Sequence, residues 1–284
     1  MLLVTGATGT TGMEVLKALK ARGAAARALV RDETKAHHLR DLGFEPATGD
    51  LGDPRTLGPA LEGVERAYLV SPISPMQSEF EQAFLETAKG AGVNHVVKLS
   101  VIGASPEAPL RFARTHAKVE QALKASGMEW TLLRPTGFMQ NTLAWGARVV
   151  DGTFYSPVPD AAFSIVDARD VAEVAAVALT EEGHEGKAYG LSGPEPVSYR
   201  DQAKRVFAAA GREVEVAEVP VETLKRELVR AGVPPWNAEG LSELFAVYAS
   251  GAAQMVTSGV KDVLGREPRD IDEFARDHVD AFKA

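Results

Sequence analysis

Leu2-Leu3-Val4-Thr5-Gly6-Ala7-Thr8-Gly9-Thr10-Thr11-Gly12-Met13 is the stretch that decides the fold. Four β-prone residues run into glycines spaced G-x-x-G-x-x-G, and an amphipathic stretch over 13–22 follows at once. A strand that meets a helix through such a loop has to turn sharply, admit a close approach to its main chain, and pack the helix near the sheet. Glycine meets all three demands. The helix N-terminus then presents N–H groups and a partial positive charge, which suit a phosphate. Thr8, Thr10 and Thr11 add hydroxyls. The loop lacks the Gly-Lys-Ser/Thr ending of a triphosphate-hydrolysing P-loop, so Gly6, Gly9 and Gly12 point to a dinucleotide.

Outward from this loop, short apolar runs alternate with helical stretches. Strands are predicted at 26–30, 44–48, 67–70, 95–99 and 130–133, with helices at 34–42, 77–91 and 110–126 between them. Buried parallel strands joined by helical crossovers give an α/β, Rossmann-type doubly wound sheet. Its expected extent is 1–150. A smaller, mostly helical C-terminal part is expected over 151–284, interleaved with the first. Its elements are helices at 169–179, 198–210 (with Ser198 as N-cap), 221–231, 241–248 and 271–282, and strands at 187–191 and 214–219. The stripe Val171, Val174, Ala178 has the spacing of a core-facing helix.

Composition narrows the function. The chain has 284 residues, 45% hydrophobic and 25% charged, enough for a sizeable core. Its formal net charge of −8 disfavours a nucleic-acid partner and an anionic membrane surface. There are no cysteines, hence no disulfides and no thiolate nucleophile. The six histidines show no metal-ligand spacing, and no Gly-x-Ser-x-Gly elbow occurs. No basic leader precedes the first strand and no long apolar run follows, so the expected location is the cytoplasm.

The second strand ends in Arg31, with Lys35 four residues on. An acidic residue at this strand end would favour NAD(H) through the ribose hydroxyl. Arginine suits a 2′-phosphate, so NADP(H) is favoured over NAD(H), although Asp32 follows immediately. Gly49-Asp50-Leu51 closes the third strand, where Asp50 and Leu51 either flank an adenine or form a plain turn with an Asx bond.

Together, the Gly-Ala-Thr-Gly-x-x-Gly loop, Arg31 to Lys35, Gly49-Asp50-Leu51 and Tyr68-Leu-Val-Ser71 resemble the atypical short-chain dehydrogenase/reductases. Further segments are similar to the NmrA-like family: His116-Ala-Lys-Val-Glu120, Gly127 to Arg134, Phe138 to Asn141, and Gly265 to Phe274. The segment from Glu182 to Gly193 resembles the type-2 NAD(P)H:quinone oxidoreductase and triphenylmethane reductase branch. The resemblance implies a cofactor site that also includes Ser71, Pro72, His116, Gly137, Phe138, Met139 and Gln140. It places His116 where relatives often carry lysine. It also implies a substrate region around Phe138 and Asn141.

Typical short-chain dehydrogenases use Tyr-x-x-x-Lys. Here the residues four places after the tyrosines are Pro72, Pro159, Gly193, Ala203 and Ala252, and none is lysine. Sugar epimerisation and alcohol oxidation by that machinery are therefore not expected. His116 is a candidate hydrogen-bond or proton donor, or alternatively the partner of Glu120 in an ordinary i,i+4 pair. Ser100, at a strand end, is a second catalytic candidate or a plain cap. Trp145, Phe163 and Trp236, with Phe138, are candidate walls for a planar acceptor, or core aromatics. These features imply an NADPH-dependent reductase acting on a small quinone or aromatic acceptor. The alternative is a non-catalytic redox sensor with a protein partner.

Overall fold

The computed structural model describes residues 1–283. The leading strands and helices are β1 (Leu2–Val4), α1 (Thr10–Ala21), β2 (Ala26–Val30), α2 (Glu33–Asp41), β3 (Glu45–Thr48), α3 (Gly58–Leu61), β4 (Arg66–Leu69) and α4 (Gln77–Gly90). Then come β5 (His95–Leu99), α5 (Arg111–Ala125), β6 (Glu129–Pro135), β7 (Gly137–Phe138), β8 (Thr153–Ser156), β9 (Ala162–Val166), α6 (Ala168–Thr180) and β10 (Lys187–Leu191). The chain closes with β11 (Pro196–Ser198), α7 (Tyr199–Ala209), β12 (Glu215–Glu218), α8 (Val221–Arg230), α9 (Pro235–Ala249), α10 (Gly259–Leu264) and α11 (Ile271–Asp277).

The main sheet has the order β10-β6-β5-β4-β1-β2-β3. Parallel pairings join β3 to β2, β2 to β1, β1 to β4, β4 to β5 and β5 to β6. This is the doubly wound arrangement read from the sequence. Because these strands are parallel, the loops after β1 to β5 leave one edge of the sheet. The chain reverses its winding between β1 and β4, where such folds place their ligand.

Two units are distinguished by their internal packing. The first comprises Met1–Ala108, Phe112–Arg134 and Ala168–Gly190; the second comprises Pro109–Arg111, Pro135–Asp167 and the chain from Leu191. In the first unit, β5 is buried along its whole length. Leu3, Leu69, Phe84, Val96, Val119 and Leu132 share its core. α6 packs along α1, and Val171, Val174 and Ala178 are fully buried, as their spacing predicts.

The second unit holds two small sheets, β11-β9-β7 and β12-β8, and the helices α7 to α11. The Ser198 hydroxyl accepts the Asp201 N–H at 3.1 Å, the N-cap expected of it. Four short strands, β7, β8, β9 and β11, lie where no strand was expected. α9 begins at Pro235, before the expected 241, because proline at a first turn surrenders no helical hydrogen bond. The terminal helix ends at Asp277 rather than 282, and residues 279–282 tighten into a 3₁₀ turn. Among the described residues, no helix is long and apolar enough to cross a membrane.

Candidate functional site

The glycine loop follows β1 and ends inside α1. Gly9 is the N-cap of α1, and no side chain caps that end. The loop is closed by its own main chain, Gly9 N–H to Gly6 O at 2.8 Å and Met13 N–H to Gly9 O at 3.1 Å. Gly6 has φ +58, and a Cβ there would stand 2.6 Å from Val70 Cγ1. At Gly12 a Cβ would stand 2.2 Å from Gly6 O. Thr8, Gly9 and Thr10 are exposed. An exposed glycine cradle at an uncapped helix N-terminus has room and N–H donors for a diphosphate. Thr11 differs from expectation: its side chain is buried, so this position offers the helix end its main chain rather than its hydroxyl.

The β1 and β4 loops are stapled together by Thr5, a residue not singled out in the sequence. Its hydroxyl donates to Val70 O at 2.7 Å and accepts Val70 N–H at 2.8 Å. The staple fixes the edge at the winding reversal.

Around this edge the other expected residues take definite places. Arg31 is exposed past β2 and makes no hydrogen bond or ion pair among the described residues. Asp32 caps α2 by accepting the Lys35 N–H at 2.9 Å, and its carboxylate lies 3.8 Å from Lys35 Nζ. Asp32 is thus engaged with the helix behind it, while Arg31 stands exposed beside it with no protein partner among the described residues. Asp50 forms the Asx turn, accepting Gly52 N–H at 2.9 Å, and its own N–H donates to Thr56 Oγ1 at 2.8 Å. Leu51 is half-buried against the core. Pro72 is exposed, whereas the Ser71 hydroxyl turns inward and donates to Glu81 Oε1 at 2.8 Å, so its side chain serves the interior.

The Ser71 contact opens onto a buried polar cluster. Glu81 and Lys98, both with no exposed side-chain surface, form an ion pair at 2.9 Å. Lys98 Nζ also donates to its neighbour's carbonyl, Leu99 O, and lies 3.3 Å from His116 Nδ1. Gln77 Nε2 donates to Glu81 Oε1 at 3.4 Å. Neither Glu81 nor Lys98 was flagged in the sequence. The available signal was a lysine inside a strand otherwise built of buried residues, since lysine is almost never fully buried unless paired.

His116 is buried, and burial, reinforced by the Lys98 charge, holds its imidazole well below its usual range. It does not pair with Glu120 as the i,i+4 spacing suggested. Glu120 instead accepts the Ser100 hydroxyl at 2.6 Å and is clamped by Arg134, through Nε at 2.9 Å and through Nη2. Arginine in the strand outcompetes histidine on the helix because it forks onto both carboxylate oxygens. Ser100 is therefore the donor in a bond to a carboxylate, and its proton is not on offer as an acid.

At the opposite end of β5, burial pushes His95 down to about 4, with the Arg66 charge contributing. Its Nε2 meets Thr131 Oγ1 at 2.9 Å. The unfolded chain takes up this proton near the usual 6.5 and the folded chain only near 4, so stability falls as pH drops across that window. Between about pH 7 and pH 5 the expected loss is about 2 kcal/mol from this residue. Denaturant midpoints at the two pH values check it. His95→Gln should flatten the dependence, and an unchanged slope would sink the assignment.

In the second unit, Gly137 admits Tyr248, whose hydroxyl oxygen would stand 3.2 Å from an added Cβ. Phe138 is half-buried and Asn141 exposed, while Gln140 Nε2 donates to Asp167 Oδ1 at 2.8 Å. Three expectations are corrected. Met139 is core, 1% exposed, so its side chain is not a cofactor contact. Trp145 stacks on Phe154 with centroids 4.5 Å apart, and Phe163 stacks on Tyr248 at 3.9 Å. Each is 3% exposed, and their faces are taken by neighbouring rings, so neither walls an acceptor. Trp236 is half-buried beneath the Arg111 guanidinium, 5.6 Å from the ring centroid.

A doubly wound parallel sheet whose first crossover carries this loop defines a dinucleotide-binding protein. The chain belongs to the NmrA-like family, whose profile spans residues 1–275. It is 40% identical to the NAD(P)H azoreductase of Xenophilus azovorans over 285 aligned positions, covering 100% of both chains. Among solved structures it resembles the NADPH-dependent quinone oxidoreductase of Escherichia coli in complex with NADPH (TM-score 0.86, 28% identity, 98% of this chain and 99% of that one). It also resembles the triphenylmethane reductase of Citrobacter sp. in complex with NADP(H) (TM-score 0.84, 26% identity, 98% and 99%).

Proposed function

We propose that this protein is an NADPH-dependent reductase that delivers hydride to a quinone or a similar conjugated acceptor. Membership of the NAD(P)H-dependent oxidoreductases is carried by the family and by the azoreductase and quinone reductase relatives. The choice of NADPH is carried by one observation: Arg31 is exposed and unengaged at the β2 end while Asp32 is occupied as a helix cap. A guanidinium there suits a 2′-phosphate, with Lys35 in support. The Gly6–Gly12 loop would hold the pyrophosphate.

Bound NADPH supplies the hydride. The residues supply position and a hydrogen-bond donor. Hydride addition to a conjugated acceptor leaves a delocalised anion, so strong acid catalysis is unnecessary and water can complete protonation. This agrees with the missing Tyr-x-x-x-Lys pair. It also agrees with a His116 that is neutral, and so able to donate from an imidazole N–H without carrying charge into a buried site.

The test follows NADPH absorbance against a panel of quinones and azo dyes. Turnover with at least one is expected. Arg31→Ala should raise KM for NADPH about 10- to 100-fold while leaving KM for NADH near its starting value, the worth of one charge-assisted bond. NADPH binding with no turnover by any acceptor would favour the sensor reading. An Arg31→Ala protein with unchanged preference would remove the NADPH assignment.

A further inference from the structure

We propose that Lys98 is a positioning residue that sets the tautomer of His116, so that His116 presents Nε2–H as a neutral hydrogen-bond donor. The argument begins at Glu81. Its carboxylate is fully buried, 2.9 Å from Lys98 Nζ, and receives the Ser71 hydroxyl and the Gln77 amide. In that ion pair Lys98 is the ammonium member. An ammonium has three protons and no lone pair, so it can only donate. Across the 3.3 Å to His116 Nδ1, the imidazole nitrogen must therefore be the acceptor. Nδ1 is bare and the ring proton resides on Nε2.

Nε2 itself makes no hydrogen bond among the described residues, and the residue as a whole is 7% exposed. The line Ser71–Glu81–Lys98–His116 runs from the loop after β4, through α4 and β5, to α5. It thus ties the winding-reversal edge to the imidazole. On its own helix His116 has Glu120 as its charged neighbour, and that carboxylate is committed to Ser100 and Arg134. From the strand it faces Lys98, and behind Lys98 stands Glu81 from α4. Nothing in this set supplies a proton to Nδ1 except Lys98.

The use of the Nε2 donor by an acceptor rests on the proposed reductase reading. The tautomer itself does not, and the experiment separates them. Long-range proton–nitrogen correlation spectra of histidine-labelled protein, taken without cofactor or acceptor, read each ring directly. The expected wild-type result is a bare Nδ1 and protonated Nε2 for His116, with no titration in the ordinary histidine range. In Lys98→Met the fixed donor is gone: both tautomers should appear and titration should return toward the ordinary histidine range. The same variant should lose about tenfold in kcat with the quinone, the worth of one hydrogen bond, and its kcat should become pH-dependent where wild type is flat. A wild-type His116 protonated at Nδ1 overturns the proposal even if Lys98→Met fails to fold. So does a folded Lys98→Met protein that keeps the wild-type tautomer and titration. The expected tautomer in a protein that fails to oxidise NADPH with any of the quinones or azo dyes would uphold the positioning role and sink only the reductase reading.

Discussion

Gly12→Ala is expected to weaken NADPH binding by at least about 100-fold, the equivalent of losing one or two hydrogen bonds to a charged group. The reason is steric, and its target cannot move aside. An added Cβ would stand 2.2 Å from Gly6 O, 2.6 Å from Gly6 C and 3.0 Å from Ala7 N, all main-chain atoms. Gly6 O is already bound to the Gly9 N–H at 2.8 Å, so the carbonyl cannot swing away without opening the loop. Either the loop opens or the first turn of α1 shifts. Both displace the N–H groups that the loop would aim at a phosphate, and a donor displaced by an ångström is no longer a hydrogen bond of useful strength. Gly9→Ala is the internal control: its Cβ would meet Gly6 O at 3.2 Å, a contact relieved by a shift of a few tenths of an ångström. Its effect should be several-fold rather than a hundredfold. Titration of NADPH fluorescence against both variants, with far-ultraviolet circular dichroism to establish folding, decides the matter. A folded Gly12→Ala protein with wild-type affinity would remove the loop from the cofactor site.

That contrast also shows what the sequence could and could not convey. The loop was legible because its three glycines answer a backbone problem that local chemistry poses and solves within seven residues. The parallel sheet was legible because buried strands read as apolar runs, and β2 and β5 fall where those runs stand. The small strands β7, β8, β9 and β11 were not. Each is two to five residues long, and their pairings, such as Phe138 with Val166, join segments far apart in the chain. No local periodicity encodes a partner. The same limit hid Glu81 and Lys98. Glu81 looks like an ordinary charged residue until the fold brings α4 against β5, and Lys98 carried only the signal of a lysine inside an apolar strand. It likewise made Trp145 and Phe163 look available, because an aromatic side chain carries no mark of whether its face meets solvent or another ring. His116 lay between these cases: its helix was readable, but its burial and its partner were not. The i,i+4 rule offered Glu120, and the structure supplied Lys98 from the adjoining strand.

The buried pair is also where the largest loss of stability is expected. Glu81→Leu removes the carboxylate but leaves the Lys98 ammonium with no exposed side-chain surface, and stranding one member of such a pair costs about 3–5 kcal/mol. The Ser71 hydroxyl and the Gln77 amide lose their acceptor as well. Set against the roughly 5–15 kcal/mol that holds a typical protein folded, the single variant should lie close to unfolding at ambient temperature. Lys98→Met strands the carboxylate instead. That loss should be smaller, because Ser71 and Gln77 still donate to Glu81 and the acid can take up a proton. The double variant Glu81→Leu/Lys98→Met replaces both charges with apolar groups of similar size. Replacing a buried pair in this way is often close to neutral, so the double variant should recover most of what Glu81→Leu loses. Urea denaturation of the wild type, both single variants and the double variant gives the coupling directly. Losses that simply add would mean that the two groups do not depend on each other, and the ion pair would then have no stabilising role. Recovery in the double variant without recovery of kcat would show that the pair is retained for its effect on His116. A core of leucine and methionine can hold α4 against β5, but it has no proton to place on one side of an imidazole.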